Sequence, residues 1–133
     1  MSRQYYRDFW MAELARDYHI HKFVAKDHEY WLQKAMARLY EAEQLLPEVY
    51  LQLDAFNIQL ECLQTSLVSP PTMDRVYKDF QVLMTRFYQL KEQQALAQQA
   101  IINNLHGINL ARRLMEFDRK VYRILCGRGN FIY

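Results

Sequence analysis

The chain has 133 residues, a formal net charge of +2 and 51% hydrophobic residues, with only three glycines and three prolines. That length suits one compact domain or an elongated bundle completed by a partner, and the hydrophobic content is well above that of a disordered chain. So little turn material excludes an all-β fold, and so small a net charge is no nucleic-acid signature by itself.

Cys62 and Cys126 stand alone, with no CxxC pair and no dense framework, which fits a reducing compartment. The N-terminal MSRQYYRDFW carries charges and aromatics where a signal peptide needs an apolar run. The longest uncharged stretch, Gln93 to Ala111, holds too many glutamines and asparagines for a membrane span. These features lead us to expect a soluble intracellular protein, cytoplasmic or nuclear, that does not insert into a membrane.

In chain order, the first segment spans residues 3–26 and is rich in aromatics. Tyr6, Trp10, Leu14 and Tyr18 fall four apart, which predicts one buried helical face. Asp27 has the chemistry of an N-cap for a second helix over 27–68. Along that helix Leu32, Leu39, Leu46, Leu53, Leu60 and Leu67 recur every seventh residue. Ala35, Ala42, Val49, Phe56 and Leu63 form a second row offset by three. This is the rhythm of a helix packed on another helix along a seam. Pro47 interrupts the helix chemically but not the phase, so a bend is expected at Glu43 to Pro47, not a reversal.

Ser69-Pro70-Pro71 marks a boundary, with a loop over 69–72 and Thr72 as cap. A long helix over 73–106 follows, carrying Val76, Phe80, Leu83, Phe87, Leu90, Ala97, Ile101 and Leu105. Gly107 then reads as a C-cap and Asn109 as a new N-cap. Leu110, Leu114, Phe117, Val121 and Ile124 predict a basic C-terminal helix over 109–126, and the apolar tail Phe131-Ile132-Tyr133 is expected to dock. The fold class is therefore all-α: a single domain over 1–133, a bundle of about four to five helices with coiled-coil-like packing, with Phe56, Leu60, Phe80, Leu83, Phe87, Leu114 and Phe117 in one core.

Candidate functional residues fall into four groups. Eight of the nineteen aromatics lie in the first 31 residues; Trp10 and Tyr18 sit on the expected core stripe, whereas Tyr5 and Phe9 lie off it and suit a partner interface. Gln94 and Asn104, flanking Ile101, put amides on an apolar stripe, where a polar residue costs stability but fixes register with a helical partner. Arg112, Arg119 and Arg123 lie opposite the apolar stripe of the last helix, a face suited to an anionic partner or to solvent; residues 109–133 carry net +4 and residues 31–68 net −3. Among the histidines, His19 and His21 point about 200° apart on a helix and share no ion. Asp17 and His21 are correctly spaced, but no third ligand is evident, so neither a metal nor another cofactor is expected.

Arg16 and His21 form an R-x4-H spacing within RDYHIH. It resembles the catalytic motif of HEPN-type ribonucleases, small helical bundles in which such a pair acts on RNA, often across a dimer. In that family a polar residue usually follows the arginine, as Asp17 does here. No nucleophile–base pair, phosphate loop or close carboxylate pair accompanies it. The sequence thus favours a non-enzymatic helical subunit or adaptor that binds a helical protein or itself. The alternatives are a ribonuclease using Arg16 and His21, or a nucleic-acid binder using the basic C-terminal helix.

Overall fold

A computed structural model describes residues 2–64 and 70–127. They form two α-helices and no strand: α1 over Arg3–Gln64 and α2 over Pro70–Cys126. The expected four to five helices are thus two, because neither of the breaks read at Asp27 and at Gly107-Asn109 occurs. α1 runs through Asp27, which is exposed and caps nothing. The cap of α1 is Ser2, whose Oγ accepts the Tyr5 amide at 3.1 Å. α2 runs through Gly107 and Asn109. It begins at Pro70, within the expected loop, where a missing amide hydrogen costs nothing. Leu67, Ser69 and the tail Phe131-Ile132-Tyr133 lie outside the described residues.

Pro47 lies within α1, and the helix continues on both sides of it. Its ring is on the exposed side, next to exposed Glu43, whose carbonyl loses its helical donor there. Water can satisfy that carbonyl. This placement explains why the heptad survives: the fault lies away from the packing seam.

The chain divides into two compact units. The inner unit is Lys34–Gln99; the terminal unit combines the chain up to Gln33 with the chain from Ala100 onward. In the inner unit the C-terminal part of α1 pairs antiparallel with the N-terminal part of α2. Leu46, Val49 and Leu90 form its core, with Leu45, Leu53, Leu83 and Phe87 packed around them. Phe56 stacks on Phe80 at 5.5 Å between ring centres, and Tyr50 meets Phe87 edge-on. The leucine row is turned inward as expected, with Leu46 buried and Leu32, Leu39, Leu53 and Leu60 half-buried.

The terminal unit is also an antiparallel pair. It is built on Tyr18, His21, Ala25 and His28 of α1 against Asn104, Ile108, Ala111, Met115, Asp118 and Leu125 of α2. This seam overturns two expectations. Leu114 and Phe117 do not join a core: they are 37% and 60% exposed. Trp10 is 52% exposed, so only Tyr18 of the two expected core aromatics turns inward. The reason is one of phase. On α2 the seam repeats every seventh residue as Val76, Leu83, Leu90, Ala97, Asn104, Ala111, Asp118 and Leu125. Placing a helix break at Gly107 reset that phase onto the more apolar neighbouring stripe.

Two measurements test this packing. Pro47→Ala should raise the thermal midpoint, because it restores a hydrogen bond at an exposed site; the gain should approach the ~3 kcal/mol by which proline disfavours a helix interior. Leu46→Ala should cost about 2–5 kcal/mol in denaturant unfolding, the range for a buried leucine, while Leu51→Ala on the exposed side should change stability by under about 0.5 kcal/mol.

Candidate interaction surface

The terminal unit holds an unusually polar seam. His21 Nδ1 lies 2.9 Å from Asp118 Oδ2, and Asp118 is the one buried charged side chain among the described residues. Two turns further along α1, His28 Nδ1 lies 2.9 Å from Asn104 Oδ1, and Asn104 Nδ2 donates to the Ala100 carbonyl at 2.7 Å. A half-buried polar group needs such a mate, and a slip of either helix would remove it. The mate of Asn104 is therefore in its own chain. Ile101 is half-buried beside it, and Gln94 is half-buried at the equivalent seam position of the inner unit.

Gly107 is part of the same device. A Cβ there would stand 2.5 Å from His28 Nε2 and 2.6 Å from two ring carbons, so the glycine makes room for the imidazole. A glycine inside a helix costs roughly 0.5–1 kcal/mol relative to alanine, which is offset here by what its absence of side chain permits.

On either side of this seam the terminal unit presents two chemically distinct surfaces. A right-handed helix turns about 100° per residue, and the two antiparallel helices turn in opposite senses when viewed from one end. The row Ile20, Val24 and Trp31 lies roughly 100° behind the seam of α1, and Phe23 lies opposite that seam. The row Leu110, Leu114, Phe117, Val121 and Ile124 lies a similar angle behind the seam of α2. Opposite senses of rotation from facing seams bring both rows to the same side. Phe23 is 71% exposed, Trp31 53%, and Leu110 and Ile124 60% and 66%. Exposed Phe9 and Tyr30 share the position of Phe23 at the edge of this surface, whereas Tyr5, two heptads before His19, lies toward the other side.

The other side is basic. Arg112 reaches Glu29 at 3.2 Å. Arg119 donates to the Tyr18 hydroxyl at 2.7 Å while its guanidinium lies 5.2 Å from the same ring's centre. Exposed Arg123 and Lys120 complete it. A groove of about 260 Å³ opens here, lined by Leu14, Tyr18, His19, Arg119 and Arg123 among others. The three arginines expected to face outward do so, and two of them are held by partners on α1. Exposed ion pairs such as Arg112–Glu29 add little stability, so their presence does not account for the basic surface.

The remaining candidates are separated. Arg16 pairs with Glu13 and is exposed, whereas His21 faces the seam, and five residues place them about 140° apart around α1. Cys62 and Cys126 are both exposed and form no disulfide. Among the described residues no group of three or more His, Cys, Asp or Glu could hold a metal ion, and no helix is long and apolar enough to cross a membrane. Comparisons with protein-family models, curated proteins and solved structures give no match to this chain.

Sequence reasoning missed the His21–Asp118 and His28–Asn104 pairs. A signal was available: Asn104 already falls on the α2 heptad, continuing that heptad past Gly107 puts Asp118 on the seam, and continuing the Ala35 row of α1 upstream puts His28 and His21 there. A double-mutant cycle tests the Gly107 pocket. In a His28→Ala background Gly107→Ala should stabilise the protein by about 0.5–1 kcal/mol, the helix-propensity gain. With His28 present the gain should vanish or reverse, and equal effects in both backgrounds would disprove the close packing.

Proposed function

We propose that the protein is a non-enzymatic helical interaction module, a subunit or adaptor that binds other helices along the apolar side of its terminal unit. One observation carries this reading: the exposed row Leu110, Leu114, Phe117, Val121 and Ile124 repeats at fours and threes, the spacing of a helix-packing seam. Isolated exposed apolar residues need no explanation. A contiguous double row contributed by two helices does, because soluble monomers rarely expose apolar patches of many hundreds of Å². The aromatics Phe23, Tyr30, Trp31 and Phe117 are of the residue types that dominate binding energy at interfaces. Phe9, about half exposed, suits the rim of the same surface; Tyr5, equally exposed, faces the side of His19.

The polar seam supports the same reading. Its half-buried histidines, paired with Asp118 and Asn104, favour one register of the two helices, so the apolar rows of α1 and α2 are presented at fixed relative positions. A rigid platform loses less entropy on binding than two sliding helices.

Cross-linking in host extract followed by mass spectrometry tests this proposal. Cross-links should map to the apolar side of the terminal unit. Phe117→Asp and Trp31→Asp should each weaken capture on the order of tenfold or more, the cost of losing a hot-spot aromatic, while the far-ultraviolet helix signal is retained. Capture that persists unchanged in both variants refutes the proposal.

A further inference from the structure

We infer that the helices covering this apolar surface are those of a second copy of the chain, giving a two-fold four-helix bundle in which α1 of each copy lies over α2 of the other. This inference rests on the interaction reading above and names its partner.

Area is the first argument. The aromatic side chains on this side cover about 150–250 Å² each when fully exposed, and the larger ones are half exposed or more. With Ile20, Leu110 and Ile124 the apolar area open to a partner is on the order of 800 Å², about what each half of a stable protein–protein interface contributes. The two rows are also side by side. A single partner helix would cover the groove between them and leave their outer edges in water, whereas a second helical pair covers both. Another copy of this unit offers such a pair with the same heptad spacing, as a two-fold interface requires.

Charge then selects how the copies meet. The apolar rows of α1 are interrupted by half-buried Glu13 and Asp17 and exposed Asp27, with Arg16 behind them, while the outer flank of α2 carries Arg113. A two-fold axis parallel to the helices leaves each residue at its own level along the bundle. Glu29 is level with Arg112 in the observed pair, so Asp27 of one copy comes level with Arg113 of the other. Opposite charges meet along both rims. Turning the second copy end for end would lay α1 on α1, setting these carboxylates against their own kind and taking Arg113 away from them. Like charges brought together across an interface cost affinity, so the first arrangement is selected. All neighbouring helices then run antiparallel, as in up-down bundles with short connections.

The basic side points away from this interface. Arg119, Lys120 and Arg123 of both copies remain on the outside of such a dimer, so the dimer leaves that groove open.

Sedimentation equilibrium of the purified full chain is the test. The expected mass is twice the 16.1 kDa of the chain at micromolar concentration. Phe117→Asp should shift the midpoint of dissociation upward by tenfold or more. Because that variant could also disturb folding, a charge exchange provides the second arm. Asp27→Arg should weaken the dimer a few-fold at low salt, Arg113→Asp in the same chain should restore it, and high salt should reduce both effects. A monomer at tens of micromolar overturns the inference, as does a dimer indifferent to both Phe117→Asp and the charge exchange. A monomer whose Phe117 and Trp31 still govern capture of a different helical protein would overturn the second copy while leaving the interaction function standing.

Discussion

Within each unit two antiparallel helical segments share only one seam, and the other features of this protein depend on that restriction. Each helix can turn one narrow stripe inward, so a chain that is 51% hydrophobic must leave many apolar side chains outside. Among the described residues only Val49 is a large side chain with essentially no exposure. The inner unit spends its stripe on leucine, valine and phenylalanine. The terminal unit spends much of it on histidine, asparagine, aspartate and alanine, and keeps its stronger hydrophobes on the exposed side.

That inversion has a physical rationale. Small and polar seam residues contribute less burial free energy than leucine, at about 25 cal/mol per Å² of apolar surface. What they supply is definition: an imidazole seated on a glycine and bonded to an amide tolerates one alignment, whereas leucines accept several. The inner unit supplies burial and the terminal unit supplies register, and the exposed apolar rows of the terminal unit are the surface that register holds in place. Pro47 follows the same economy of position, lying on the exposed face of α1, where a lost hydrogen bond reaches water.

The sequence by itself determined the helical class, the seven-residue phase through Pro47 and the inward row of leucines from Leu32 to Leu60. It did so because a long apolar repeat leaves one helical face to bury. It also marked where the second helix starts, at Pro70, since a double proline suits a helix's first turn and cannot continue an incoming one. Tertiary structure decided the rest. Asp27 and Gly107 look like caps when only neighbours in sequence are considered, yet both lie inside helices, Gly107 against a partner on the opposite helix. Gly107 is kept by the ring of His28, a residue 79 positions away that no local reading brings near it. The choice of seam in the terminal unit was likewise hidden: Leu110, Leu114 and Phe117 are more apolar than Asn104, Ala111 and Asp118, and hydrophobicity alone selects the wrong stripe. Only pairing across the helices, His21 with Asp118 and His28 with Asn104, satisfies the polar side chains, and so turns the more apolar stripe outward to where a partner can reach it.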